Sequence, residues 1–160
     1  MNALVIQDLK KNFRKTEALK GISFNVKKGE IFGFLGPNGS GKSTTMRCIM
    51  DYIRASSGKV TIFKEDSKLS ATQLKDKIAY VPSEPNLYQS WTVDEHIKFV
   101  NNLQPIDQVL SESLKQKLKL EGGRKIRHLS TGNRQKLAII LALIKKLELL
   151  LLDEPTRGLD

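Results

Sequence analysis

The chain has 160 residues, with 27 lysines and arginines against 17 acidic residues, and its formal net charge is +10 at pH 7. This length suits one domain with one hydrophobic core, and 39% apolar with 28% charged residues excludes a disordered chain. The single cysteine, Cys48, excludes an internal disulfide and is predicted to be a small buried side chain. The basic residues form pairs and short clusters without interleaved aromatic residues, which favours solvated faces over an anionic partner surface.

The predicted elements alternate between strands and helices. In chain order they are strands at residues 4–6, 22–26 and 30–35, a helix at 42–53, a strand at 59–63, a short helix from Ser70 to 77, a strand at 78–81, helices at 92–103, 107–120 and 130–146, and a strand at 149–152. Strand patterns at both ends surround a helical stretch, so an α/β core with a helical insertion is expected.

The segment after the third predicted strand carries the strongest functional signal. Its residues are Gly36, Pro37, Asn38, Gly39, Ser40, Gly41, Lys42, Ser43 and Thr44, which satisfy the pattern G-x-x-x-x-G-K-[ST]. Glycines permit backbone angles that turn N–H groups inward into an anion nest, and the positive end of the next helix points at the same place. Lys42 adds a charge for the β- and γ-phosphates, and the Ser43 hydroxyl suits Mg²⁺. The segment is predicted to bind the phosphates of a nucleotide.

The last predicted strand ends on two carboxylates, Asp153 and Glu154. In a parallel sheet the carboxyl ends of the strands line the ligand crevice, where the phosphate loop also lies. Asp153 is therefore predicted to hold Mg²⁺ opposite Ser43, and Glu154 to orient and polarise the water that attacks the γ-phosphate. Taken alone, an apolar run ending in Asp-Glu is a common strand end. The phosphate loop upstream in the same chain favours the functional interpretation.

A second helix start also suits a phosphate. Ser130 is a good N-cap for the helix at 130–146, and Gly132 leaves the backbone open for close approach by a ligand. The segment Leu-Ser-Thr-Gly-Asn at 129–133 resembles the ATP-binding cassette (ABC) signature Leu-Ser-Gly-Gly-Gln. Residues 36–44 resemble the Walker A motif of that family, 149–154 its Walker B motif, and 155–160 the start of its D-loop. The chain is thereby identified as a member of the ABC ATPases over nearly its whole length.

This resemblance implies both a fold and a set of roles. The fold is an α/β, RecA-like P-loop NTPase core with an N-terminal antiparallel β portion and a helical insertion at about residues 93–125, in one domain spanning 1–160. Phe13, in place of the more usual Tyr, stacks on adenine. Ser130 and Gly132 grip the γ-phosphate bound to a second nucleotide-binding domain in a head-to-tail dimer. Lys42 and Glu154 are then the catalytic residues, with ATP and Mg²⁺ as cofactors.

Two features depart from the family pattern. Where the family places a Gln in the loop leading to the insertion, this chain has Ser83, so the metal contact is reduced to a short hydroxyl and coupling depends on Glu84 or is weakened. The family also continues past the D-loop to a switch histidine. By position, neither His96 nor His128 can take that role, and both are expected to face solvent or a partner. The stop at Asp160 is interpreted as a truncation that binds nucleotide but hydrolyses it poorly.

The predicted function is that of an ATP-binding and hydrolysing subunit of an ABC transporter, energising transport through a separate transmembrane permease subunit. An exporter type is favoured because the Pro-x-Glu sequence at 82–84 resembles that of the multidrug and peptide-export branches of the family. The predicted location is cytoplasmic, peripheral at the inner face of the membrane, and no nucleic acid partner is expected. Two alternatives stay open: a soluble ABC ATPase acting on ribosomes or DNA, favoured by the +10 charge, and a non-catalytic nucleotide-binding regulator, favoured by Ser83 and the missing histidine.

Overall fold

A computed structural model describes residues 1–68, 74–145 and 147–158. The chain divides into two compact units, Met1–Ile78 and Ala79–Asp160. The strands are β1 (Asn2–Phe13), β2 (Thr16–Lys27), β3 (Ser57–Ile62), β4 (Glu65–Asp66), β5 (Ile78–Val81) and β6 (Leu149–Leu152), and the helices are α1 (Lys42–Ile49), α2 (Val93–Leu103), α3 (Gln108–Lys117) and α4 (Thr131–Leu143). The first half of the helix predicted at residues 70–77, residues 70–73, lies outside the described residues.

The first unit is built on a four-stranded sheet in the order β2-β1-β3-β4, with β1 antiparallel to both β2 and β3. The buried side chains of β1 are Ala3, Leu4, Ile6 and Leu9. The step of three residues between Ile6 and Leu9 coincides with a register shift, and Asp8 there has a left-handed backbone (φ 43°). An extra residue at this bulge restores the inward direction of the strand. The predicted N-terminal antiparallel β portion is thus present.

The strand predicted at residues 30–35 is not observed. Within the described residues no segment pairs with it, and Ile31 and Leu35 are exposed. Only its phenylalanines pack, with the Phe32 ring stacked 5.0 Å from the ring of Phe24 on β2. An apolar run meets one condition for a strand. The other condition is a neighbouring strand that hydrogen-bonds with its N–H and C=O groups, and an apolar run does not by itself provide that strand.

Helix α1 ends at Ile49, four residues before the predicted end. The chain reverses at Asp51, whose φ is 53° and whose N–H donates to the carbonyl of Cys48 at 3.1 Å. Cys48 is buried, as predicted, and that burial raises the pKa of its thiol. A buried thiol with a raised pKa is a poor nucleophile, so a packing role is the one that its surroundings support.

The second unit contains helices α2, α3 and α4 together with the paired strands β5 and β6. Its core consists of Val93, Leu120, Ile126, Leu129, Leu137, Ile140 and Ile144. Each helix begins at a side-chain cap: Thr92 for α2, Asp107 for α3 and Ser130 for α4. Helix α3 ends three residues before the predicted boundary, and α4 ends at Leu143. Across the described ranges, no helix has the length and apolar character needed to cross a bilayer.

The prediction that both histidines face solvent or a partner is wrong for His96. This side chain is only 4% exposed, and its Nδ1 lies 2.9 Å from the carbonyl oxygen of Thr92. The backbone N–H of Tyr88 donates to its Nε2 at 3.1 Å, and the Trp91 ring packs against it at 5.2 Å. The helix places His96 one turn after its cap, facing the loop before the helix, so both ring nitrogens are bonded. His128 is exposed, as predicted.

Candidate nucleotide site

The phosphate loop has the backbone that its glycines predict, with one exception. Gly39 and Gly41 adopt left-handed angles, φ 81° and φ 90°. Gly41 also has a neighbour that excludes any side chain, since a Cβ there would lie 2.7 Å from the carbonyl oxygen of Ala18 on β2. Gly36 does not have a positive φ; a Cβ at that position would instead meet the Ser40 hydroxyl at 2.6 Å. Gly39 and Gly41 are therefore required for conformation, whereas a side chain at Gly36 would displace only the exposed Ser40 side chain.

Lys42 folds back over this loop. Its ammonium donates to the carbonyl oxygens of Gly36 at 2.7 Å and Pro37 at 3.0 Å. The half-buried Ser43 and Thr44 follow in the first turn of α1, where backbone N–H groups have no acceptor within the helix. A cation at the mouth of the loop, next to the positive end of a helix, is an arrangement that attracts phosphate.

Thr45 also belongs to this site, although its motif does not predict a role for it. It is completely buried, and both its N–H and its hydroxyl donate to the carbonyl of Gly41, at 2.8 and 2.9 Å. These two bonds hold the N-cap against the first turn of the helix. The available signal was a small hydroxyl residue one turn after a glycine N-cap.

Phe13, the expected adenine-stacking ring, lies at the end of β1. It is 46% exposed, and the ammonium of Lys11 lies 4.7 Å from the centre of its ring. An exposed ring offers an aromatic face on which a base can stack, as the predicted role of Phe13 requires.

Asp153 and Glu154 have different environments. Asp153 is 2% exposed; its carboxylate accepts a hydrogen bond from the Tyr80 hydroxyl at 3.0 Å, and its N–H donates to Val81 on β5 at 2.9 Å. Glu154 is exposed and left-handed, with φ 48°. A buried carboxylate oxygen is the type of ligand that Mg²⁺ prefers, so Asp153 and the Ser43 hydroxyl are chemically suited to that ion.

The signature segment forms a regular helix start. The Ser130 hydroxyl accepts from the N–H of Asn133 at 3.2 Å, so the predicted cap is present. The open backbone expected at Gly132 is not observed, because Gly132 is buried. The turn after β6 lies beside it: a Cβ on Gly158 would be 3.3 Å from the backbone nitrogen of Gly132. Only the tertiary fold brings this turn to the start of α4.

The loop that contains Ser83 is held on both sides. Ser83 itself is half-buried, and the buried amide of Gln135 on α4 donates to the carbonyl of Pro82 at 3.2 Å. Glu84 pairs with Arg157, 3.0 Å away. Neither Gln135 nor Arg157 was predicted, since each is more than fifty positions from its partner in the sequence.

The predicted site residues are divided between the two compact units. Phe13 and the phosphate loop at 36–44 lie in the first, and Ser83, Ser130, Gly132, Asp153 and Glu154 lie in the second.

These features define the class of protein. A family model described as ABC transporter matches residues 19–157, and the chain belongs to that family. It is 34% identical to the SkfA peptide export ATP-binding protein SkfE of Bacillus subtilis, over the whole chain and 69% of that protein. It is 35% identical to the lantibiotic transport ATP-binding protein SrtF of Streptococcus pyogenes, over 98% of the chain and 68% of that protein.

A solved structure of an ATP-binding subunit of an ABC transporter has the same fold, with a TM-score of 0.86 at 27% identity, covering 99% of this chain and 68% of that one. The predicted family and P-loop fold class are therefore confirmed. The chain is related to ATP-binding subunits of export-type ABC transporters, which are ATPases, and this functional class is confirmed as well. About a third of each of these proteins lies outside the match.

Proposed function

We propose that this chain binds Mg²⁺ and ATP through the residues predicted from its motifs and hydrolyses the ATP. The phosphate loop carries the proposal. Its glycines Gly39 and Gly41 are left-handed, and the Lys42 ammonium lies against the loop carbonyls in front of a helix start. Phosphate chains bind such loops because backbone N–H groups, helix dipole and ammonium all favour negative charge there.

Each remaining site residue has a separate role in this proposal. Phe13 stacks on the adenine ring, and Ser43 with Asp153 holds Mg²⁺, with the Ser83 hydroxyl as a weaker oxygen ligand. When bound, Mg²⁺ neutralises charge on the phosphate oxygens. Glu154 is exposed, so its carboxylate can contact water. In this role the carboxylate orients a water molecule and attracts its proton while the water oxygen attacks the γ-phosphate.

The proposed partners are a second nucleotide-binding domain and a transmembrane permease subunit. In a head-to-tail dimer, the exposed hydroxyl of Ser130 contacts the γ-phosphate bound to the opposite domain. Gly132 makes such a contact only after the turn at Gly158 moves aside, because that turn now lies against it. ATP at such an interface stabilises the dimer by binding to both partners, and hydrolysis weakens it.

Transport of peptide-like compounds out of the cell is the proposed use of this energy. It is supported by the names of two relatives, a peptide export protein and a lantibiotic transport protein. The proposed location is the inner face of the cell membrane, where the permease partner anchors a cytoplasmic subunit.

The test is the affinity for Mg·ATP of wild type, Lys42→Ala and the control Lys20→Ala, which removes an exposed lysine of β2. A hydrogen bond to a charged group contributes about 1.5–3 kcal/mol, so Lys42→Ala should weaken binding about ten- to hundredfold while the control binds normally. Glu154→Gln should bind ATP like wild type but lose turnover, because the amide does not attract the proton of water. Unchanged affinity in Lys42→Ala would exclude the loop as the phosphate site.

A further inference from the structure

We propose that the ion pair between Glu84 and Arg157 is a positioning device for ATP hydrolysis, joining the loop after β5 to the turn that begins at Glu154. The carboxylate and guanidinium are 3.0 Å apart. The inference rests on the proposed function, because it assigns to the pair the task of holding the residue that orients water.

Arg157 is connected to Glu154 through its own backbone. The N–H of Arg157 donates to the carbonyl of Glu154 at 3.0 Å, closing a turn over residues 154–157. Glu154 has a left-handed backbone (φ 48°), a conformation that a non-glycine residue keeps only when its surroundings hold it. The turn is one such restraint, and the Arg157 side chain extends it to a second loop.

That second loop is anchored independently. Gln135, which is 1% exposed, donates its amide to the carbonyl of Pro82 at 3.2 Å. Glu84 is therefore presented from a loop whose start is tied to α4. On the other side of the pair, Gly158 lies against the first turn of α4, close to Gly132. The ion pair thus closes a ring of contacts around the start of that helix.

The exposure of the pair limits its contribution to stability. The Glu84 and Arg157 side chains are 74% and 50% exposed, and pairs in such positions contribute little to folding. Small displacements of a water-orienting group nevertheless change rates. Ser83 stands where the family has Gln and offers only a short hydroxyl. Glu84, beside it, has a longer side chain that contacts Arg157 in the turn that begins at Glu154.

The test measures kcat and KM for ATP in Glu84→Gln, Arg157→Gln, the doubly neutralised variant, and the swapped pair Glu84→Arg with Arg157→Glu. Each single neutralisation should lower kcat about three- to fivefold, which corresponds to about 1 kcal/mol or less, with KM changed by less than about twofold. The double neutralisation should cost no more than either single one, and the swap should recover most of the lost rate.

Controls separate this effect from general charge and from folding. Lys117→Gln and Glu121→Gln neutralise exposed residues of the same unit and should keep the wild-type kcat. Raising salt from about 0.05 M to about 0.5 M should bring wild type toward the neutralised variants, because salt screens exposed pairs. Melting temperatures should be the same for all variants within about 3 °C, a shift consistent with the small stabilising effect of exposed pairs.

The outcomes distinguish the two proposals. The positioning role alone would be overturned if wild type hydrolyses ATP and both single variants keep its kcat. It would also be overturned if the losses of the single variants add up in the double variant. A wild-type protein that does not hydrolyse ATP would overturn the proposed function and the positioning role together.

Discussion

Replacing Tyr80 by Phe removes one oxygen atom from the second unit and tests how the buried carboxylate of Asp153 is held. The Tyr80 hydroxyl donates to Asp153 at 3.0 Å, and Asp153 is 2% exposed, so water does not readily replace the lost donor. Hydrogen bonds to charged groups contribute about 1.5–3 kcal/mol, and their loss leaves the desolvation cost of the carboxylate uncompensated. For a chain of this size, each kcal/mol lowers Tm by about 2–4 °C, so a fall of about 3–12 °C is expected.

The assay is thermal unfolding followed by circular dichroism, with Tyr88→Phe as the matched control. Tyr88 is 59% exposed, so water hydrates its hydroxyl and the control should melt within about 1 °C of wild type, the usual range for surface substitutions. Adding Mg·ATP should narrow the gap between Tyr80→Phe and wild type if Asp153 faces Mg²⁺, because a cation compensates the carboxylate. Equal melting temperatures for Tyr80→Phe and wild type would refute the importance of this bond.

Two further variants test backbone geometry and helix capping. Gly58→Ala should destabilise the chain by about 2–4 kcal/mol in urea unfolding, because φ at Gly58 is 87° and a Cβ would clash with the Asp8 carbonyl. In the control Gly29→Ala, φ is 79° but the added Cβ meets open space, so the loss should be only about 1–2 kcal/mol. Equal losses would exclude the clash. The backbone N–H of Thr92 donates a hydrogen bond to the Glu95 carboxylate and is the main reason why the pKa of Glu95 lies below its ordinary value of 4.5. The charged carboxylate therefore stabilises the fold above about pH 4.5, and this stabilisation is lost as the pH falls through the lowered pKa. The stability difference between wild type and Glu95→Gln should therefore shrink in acid, and a constant difference from pH 6 to 3 would contradict this reasoning.

The phosphate loop could be predicted in detail because its constraints are local. Left-handed angles at Gly39 and Gly41 follow from a short pattern in which only glycine fits without strain. The caps at Thr92 and Ser130 are equally local, since each side chain bonds a backbone N–H three residues away. Strand β6 was predicted to the residue, because an apolar run bounded by charged residues marks its own ends.

Features that depend on distant partners were decided only by the tertiary structure. Residues 30–35 have a strand pattern, yet a strand also needs a neighbouring chain to bond, and the described residues offer none. His96 is buried because the loop at 88–91 folds over its face of α2. The pairing of Glu84 with Arg157 joins residues on separate loops. A local motif can be predicted because its backbone angles and hydrogen bonds involve residues close in sequence. Burial and charge pairing depend on which remote segments pack together, and this is determined by the tertiary fold as a whole.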